Sequence, residues 1–204
     1  MHKAGAFFLI LLLGFQVLLF AQDDNDPAIE IDWDDYTIDL YAAGDQSFIM
    51  ALGVVFPTVF INNGTVIDHQ FSPPVGGAGT LIYNYYLQPF LFTGAEIGLM
   101  FLPTIGGNTI FLVPLGLRFG TQFLIWRLEF PISLTVGVSW HNYLNLGYFG
   151  LFVKAGAAAF YRATSDWSFG LTANWSLFPQ WTSDPSKNVY GNFLELTLSA
   201  RYHF

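Results

Sequence analysis

Glu195-Leu-Thr-Leu-Ser-Ala-Arg-Tyr-His-Phe204 alternates without a break. Leu196, Leu198, Ala200, Tyr202 and Phe204 point one way, while Glu195, Thr197, Ser199, Arg201 and His203 point the other. Side chains change face at every residue only in a β-strand, so this segment is a strand between two different surroundings. The same period of two runs through Trp126 to His141 and through Trp167 to Leu177. A chain built this way folds by pairing strands.

The surroundings follow from composition. The chain is 53% hydrophobic and 19% aromatic, with 11% charged residues, well beyond an ordinary soluble domain. Yet after the first twenty-one residues no stretch approaches eighteen apolar residues in a row. The longest candidate, Phe48 to Ile61, contains Gly53 and Pro57. A helical membrane protein shows continuous spanning runs, whereas a membrane barrel spreads its apolar residues over alternate positions. The pattern predicts an all-β protein, a transmembrane up-and-down antiparallel β-barrel. Eight strands are predicted at about 47–60, 79–89, 92–103, 109–119, 123–140, 147–162, 166–181 and 190–204. Tight turns are expected at Gln88–Leu91, Phe119–Gln122 and Ala163–Asp166. Longer loops are expected at Ile61–Ala78, Thr104–Asn108, His141–Leu146 and Pro179–Val189.

Residues 1–21 form a separate unit. Met-His-Lys precedes an apolar run from Phe7 to Phe20, and Ala21-Gln22 follows, the pattern of a cleaved secretory signal that is too short for a membrane helix. The absence of cysteine removes disulfides and a lipid-modified amino terminus. The expected mature chain is an acidic tail over 22–46 and a barrel over 47–204, with both termini in the periplasm because the strand number is even.

Charge is segregated. Fifteen acidic residues face seven Lys and Arg, but nine of the acids (Asp23, Asp24, Asp26, Glu30, Asp32, Asp34, Asp35, Asp39 and Asp45) lie within residues 22–46. From residue 47 onward six acids balance six bases, so the net charge belongs to the tail. No basic cluster exists to attract nucleic acid. On the predicted facing, Glu96, Arg118, Arg127, Glu129, Lys154, Arg162, Glu195 and Arg201 all point inward, and the outward faces carry no charge. An Arg or Lys on the lipid face near the midplane costs ~2–4 kcal/mol, which is the physical reason for such sorting. Eight strands leave an interior about wide enough for side chains, so these residues are expected to pair as an internal ion network. That network either plugs the lumen or lines a narrow path.

Other residues carry weaker chemistry. Ser139 and His141 share a face, but Glu129 lies too far down the same strand to complete a Ser/His/acid set, so no enzyme is assigned. No metal or cofactor spacing occurs, and the carboxylates of Ile29–Asp35 do not match a calcium loop. Pro114 and Pro131 sit inside neighbouring predicted strands, where each removes a ladder donor. They mark either β-bulges or a lateral seam through which a small apolar ligand reaches the lipid.

With strands, small loops and Phe204 in place, the chain resembles small outer-membrane barrels of the OmpW and OmpX type. Val113–Gly120, Glu129–Ser133, Gly150–Lys154 and Trp167–Gly170 through Phe178–Trp181 look most like spirochaete members of that set. The alternating Leu198, Ala200, Tyr202 and terminal Phe204 resemble the signal by which the barrel-assembly machinery recognises its substrates. The resemblance implies an outer-membrane lipid environment and two roles. The first expected is a narrow channel or transporter for small, including hydrophobic, molecules; the alternative is a non-conducting structural or surface-interaction, adhesin-like barrel. An apolar pocket behind the first loop (Val66, Ile67, Phe71) favours the first, and a lumen sealed by Arg/Glu pairs the second.

Overall fold

A computed structural model describes residues 41–68, 70–144, 146–181, 186 and 188–204. The expected signal (1–21), most of the acidic tail, His69 and Lys187 lie outside the described residues. Nine strands form among the described residues: β1 Gln46–Asn62, β2 Thr65–Ile67, β3 Gly76–Gln88, β4 Leu91–Pro103, β5 Thr109–Ile125, β6 Leu128–Tyr143, β7 Leu146–Arg162, β8 Trp167–Gln180 and β9 Val189–His203. Each long strand pairs antiparallel with its neighbours in sequence, and β1 pairs with β9 from Ser47↔His203 to Asn62↔Val189. Eight long strands therefore close a barrel, and β2 only extends a hairpin on β1. Closure gives each long strand a neighbour on both sides over most of its length.

One end of the barrel, the turn end, carries Phe204 and the tight turns at 89–90, 126–127 and 163–166. The other, the loop end, is where β1 leads toward β3, β4 toward β5, β6 toward β7 and β8 toward β9. Facing follows the alternation. In β6, Leu128, Ile132, Leu134, Val136 and Val138 are exposed, whereas Glu129, Ser133, Thr135, Ser139 and His141 are buried. Exposed Tyr83, Tyr85, Trp126, Tyr161 and Tyr202 ring the turn end, and Trp140, Phe149 and Trp181 ring the loop end, as aromatic girdles do at membrane interfaces.

Two expectations are corrected. The hairpin between β5 and β6 turns at Trp126–Arg127, flanked by the pair Ile125↔Leu128, and not at Phe119–Gln122. Gly120, within the expected turn, serves packing inside a strand instead. A β-carbon there would lie 2.3 Å from Phe92 Cζ and 2.5 Å from the Ile132 carbonyl oxygen. Trp126 accordingly occupies the left-handed region (φ 55°) of a two-residue turn and is not the end of a strand's lipid face.

The second concerns the prolines, neither of which makes a bulge. The β4–β5 ladder skips from Ile97↔Leu115 to Met100↔Leu112 around Pro114, in unchanged register. The β6–β7 ladder skips from Glu129↔Phe160 to Ile132↔Ala157 around Pro131, also in register. Between them β5 and β6 pair continuously, so the prolines open two separate gaps and not one shared seam. A register shift appears instead in β1, between Pro57 and Phe60.

Val136, outward and midway along β6, tests the facing. Val136→Arg is expected to destabilise the vesicle-embedded barrel by ~2–4 kcal/mol in urea titrations followed by tryptophan fluorescence. A loss under ~0.5 kcal/mol would contradict a lipid-facing position.

Candidate functional site

The interior divides into a charged turn half and an apolar loop half. In the turn half Glu129, wholly buried on β6, is the centre of one cluster. Arg201 Nη1 donates to Glu129 Oε2, and Arg162 Nη1 donates to Oε1 at 3.5 Å. Ser168 Oγ donates to the same Oε1 at 3.3 Å and lies 2.8 Å from His203 Nε2. Arg201 also stacks over the Phe160 ring at 4.0 Å from its centroid.

Tyr41, just ahead of β1 and 1% exposed, completes this cluster. Its hydroxyl donates to Glu129 Oε2 at 2.6 Å and accepts from Arg201 Nη1 at 3.1 Å. Its ring stacks on Tyr86 at 4.2 Å and lies beneath the Arg162 guanidinium at 5.2 Å. Burial pushes the Tyr41 phenol well above the ordinary tyrosine range, against the pull of Arg201, so it stays a protonated donor. The backbone holds it there: Gly44 N donates to the Tyr86 carbonyl, and Tyr86 N to that of Asp45. A shallow recess of about 210 Å³ at this mouth is lined by Tyr41, Asp45, Gln46, Arg162, His203 and Phe204.

A second cluster spans the barrel from β4 to β9. Arg118 Nη1 lies 3.1 Å from Glu96 Oε2, which also accepts from Thr135 Oγ1 at 3.0 Å. Lys154 Nζ sits between two carboxylates, 2.8 Å from Glu96 and 3.1 Å from Glu195, and Ser176 Oγ donates to Glu195 at 2.6 Å. The charged side chains in both clusters are at most 7% exposed. A buried ion pair recovers its desolvation cost only with such close geometry and added hydrogen bonds, which both clusters supply.

Seven of the eight inward charges read from the sequence thus fall into these clusters: Glu96, Arg118, Glu129, Lys154, Arg162, Glu195 and Arg201. Arg127 does not. Placed in the β5–β6 turn, it donates to the Tyr161 hydroxyl at 3.1 Å on the outside and lies 5.5 Å from the Trp126 ring. The difference follows from where the chain reverses, since a turn residue belongs to neither alternating face. Tyr41, Ser168 and His203 are members the sequence reading missed. Ser168 and His203 oppose Arg201 and Ser47 on paired strands, which only the register reveals. They are no hydrolytic triad: Ser168 is fully buried, and His203 Nδ1 has no hydrogen-bond partner among the described residues.

The loop half is filled by apolar side chains. Val55, Met100, Leu102, Leu112, Phe152, Phe178 and Phe193 form one buried cluster, onto which Phe60, Phe71 and Ile110 pack. Phe71 therefore caps the interior, while Val66 and Ile67 are exposed. Outside, a depression of about 430 Å³ lined by Met50, Leu52, Leu81, Ile97, Leu99 and Val113 adjoins the ladder gap at Pro114. Leu198, Ala200, Tyr202 and Phe204, which the resemblance leads one to expect as the assembly signal, lie on the outer face of β9 or at its end.

Among curated proteins, the chain is 30% identical over 129 residues to an uncharacterized protein of Treponema pallidum (strain Nichols), covering 63% of this chain and 59% of that protein. A second protein of the same organism is 24% identical over 161 residues, covering 70% and 55%. The chain thus spans between half and three-fifths of the length of the curated relatives it matches. Neisserial surface protein A superposes with a TM-score of 0.57 at 10% identity, over 80% of this chain and 99% of that one. At that identity the likeness shows the fold alone, a small closed barrel of the outer-membrane type.

Removing one partner from a buried pair leaves the other charge uncompensated. Glu129→Gln is expected to cost ~3–5 kcal/mol in unfolding free energy, against about 1 kcal/mol or less for Arg127→Gln. Equal losses in the same denaturant titration would contradict the separate placement of Arg127.

Proposed function

The chain belongs to the protein family whose model matches residues 22–202, and we propose that it is a non-conducting barrel of the outer membrane. The observation that carries this reading is the filled interior. Glu129 with its two arginines and Tyr41 occupies the turn end, Lys154 with its two carboxylates crosses the middle, and the phenylalanine cluster fills the loop end. An aqueous path would have to break these pairs in a low-dielectric interior. The work of such a barrel falls to its surfaces, meaning the outer loops and the membrane-facing wall.

The accompanying proposals concern topology and assembly. Residues 1–21 are a signal removed on export, residues 22–46 an acidic periplasmic segment that carries the Tyr41 anchor near its end, and both termini of the mature chain lie in the periplasm. Leu198, Ala200, Tyr202 and Phe204 present the outer face of the last strand to the barrel-assembly machinery. The chain acts with no cofactor and catalyses no reaction.

A second reading is lateral transfer of a small apolar molecule at Pro114. The interrupted β4–β5 ladder beside an apolar depression supports it. The gap at Pro131 lies on another pair of strands and has no part in that route.

Planar-bilayer recording of the refolded mature chain tests the first reading. Folded, inserted protein is expected to be electrically silent, and discrete conductance steps would overturn the proposal. For the second reading, Pro114→Thr should slow uptake of an apolar dye into vesicles carrying the barrel. Unchanged uptake would remove the lateral route.

A further inference from the structure

A proline inside a strand takes away one N–H and leaves a carbonyl on the neighbouring strand without its donor. Pro131 does this to Ala158. In unchanged register, the two pairs that the β6–β7 ladder skips are Phe130 with Ala159 and Pro131 with Ala158. On its other side Pro131 pairs with Gln122 in an unbroken β5–β6 ladder. The missing donor is therefore the one that faces β7, and the carbonyl it would have met is that of Ala158. In hydrocarbon no water replaces a lost ladder donor.

Ala158 also borders a cavity in the outer wall. A depression of about 470 Å³ crosses β7, β8, β9 and β1, and Ala158 lines its β7 edge. That volume lies within the ~300–1,000 Å³ range of small-molecule sites. The floor is low because the outward positions Ala157, Ala159 and Ala173 carry the shortest side chain, while Leu171 and Leu198 stand beside them at 64% and 70% exposure. Gly53 continues the floor on β1, where a β-carbon would lie 2.1 Å from the Leu196 carbonyl oxygen, so that position stays bare.

Two features make this carbonyl reachable from the lipid. Ala158 is itself half-buried and is flanked along its strand by alanines, which leave it unscreened on the side of the depression. Gly98, which stands opposite Pro114 in the other gap, is buried between the bulkier Ile97 and Leu99. Ala158 also lies four residues from the turn-end terminus of β7 at Arg162, whereas Gly53 lies seven from that of β1 at Gln46. The depression therefore starts beneath the turn-end girdle, close to Tyr161, and runs toward the middle of the wall.

We propose that this depression binds a single-chain amphiphile with an uncharged hydroxyl head. The hydroxyl donates to the Ala158 carbonyl, and the chain lies over Ala157, Ala159 and Ala173 beside Leu171 and Leu198. A carboxylate head accepts only and has nothing to give a carbonyl, and an alkane leaves that carbonyl unpaired. The site depends on the barrel being embedded in lipid. It is independent of whether the lumen conducts and of any passage at Pro114.

The test uses the mature full chain in phospholipid nanodiscs, labelled with carbon-13 at alanine carbonyls and titrated with decan-1-ol or with decane. The Ala158 carbonyl resonance is expected to shift saturably with decan-1-ol and not with decane. Pro131→Thr returns the missing N–H, so it should keep the folded spectrum and bind decan-1-ol roughly tenfold more weakly or worse. Ala173→Leu fills the floor while leaving the carbonyl without its donor, and it should abolish the saturable shift. Equal shifts with decane would mean simple partitioning and overturn the site. No shift with decan-1-ol, or undiminished binding in either folded variant, would overturn it as well. Failure of a variant to insert shows separately, as loss of the folded backbone spectrum, and the other variant then decides.

Discussion

A backbone that crosses hydrocarbon has to satisfy its own hydrogen bonds, and the pairing of β1 with β9 is what allows this chain to do so. Everything else in the structure follows from that closure. Eight strands make a narrow tube, and a narrow tube with alternating side chains has one face in lipid and one face inside. Charges that the lipid rejects are driven into a space where water is scarce. They persist there only because they are brought within bonding distance of one another.

The lumen meets that demand with three carboxylates. Glu129 gathers two arginines, a serine and Tyr41, while Glu96 and Glu195 share Lys154. Buried charge is thereby confined to the turn half and the middle. Phenylalanines and other apolar residues fill the loop half, with His141 set among them. Where the wall gives way, it does so locally. Pro114 and Pro131 each cost one ladder a pair of contacts, while β7 and β8 separate over a longer stretch near the loops. These interruptions distinguish this wall from a uniformly paired cylinder.

The particular successes and misses have physical causes. Arg118, Lys154, Arg162 and Arg201 were legible as inward residues because alternation counts correctly along an unbroken strand. Arg127 was misplaced because the same count was carried through a turn that lacks the usual Gly or Asn. Gly120 marks a close approach of Phe92 and not a reversal. The prolines were visible, but whether a proline bulges a strand or merely skips a pair depends on both neighbours. Register answers that, and composition does not.

Alternation, charge segregation and strand count were enough to establish a barrel, its facing and most of its buried charges, because each depends on residues near one another in sequence. Which charges pair could not be read that way. Arg201 finds Glu129 across 72 residues, and Tyr41 finds it across 88. Likewise, only the folded wall sets Pro131 opposite Ala158, and Ala158 in one depression with Leu171 and Leu198, from strands whose spacing along the chain carries no trace of their contact. Distance along a strand is set by the chain itself, whereas distance across the barrel is set by register and closure, which exist only once all the strands have paired.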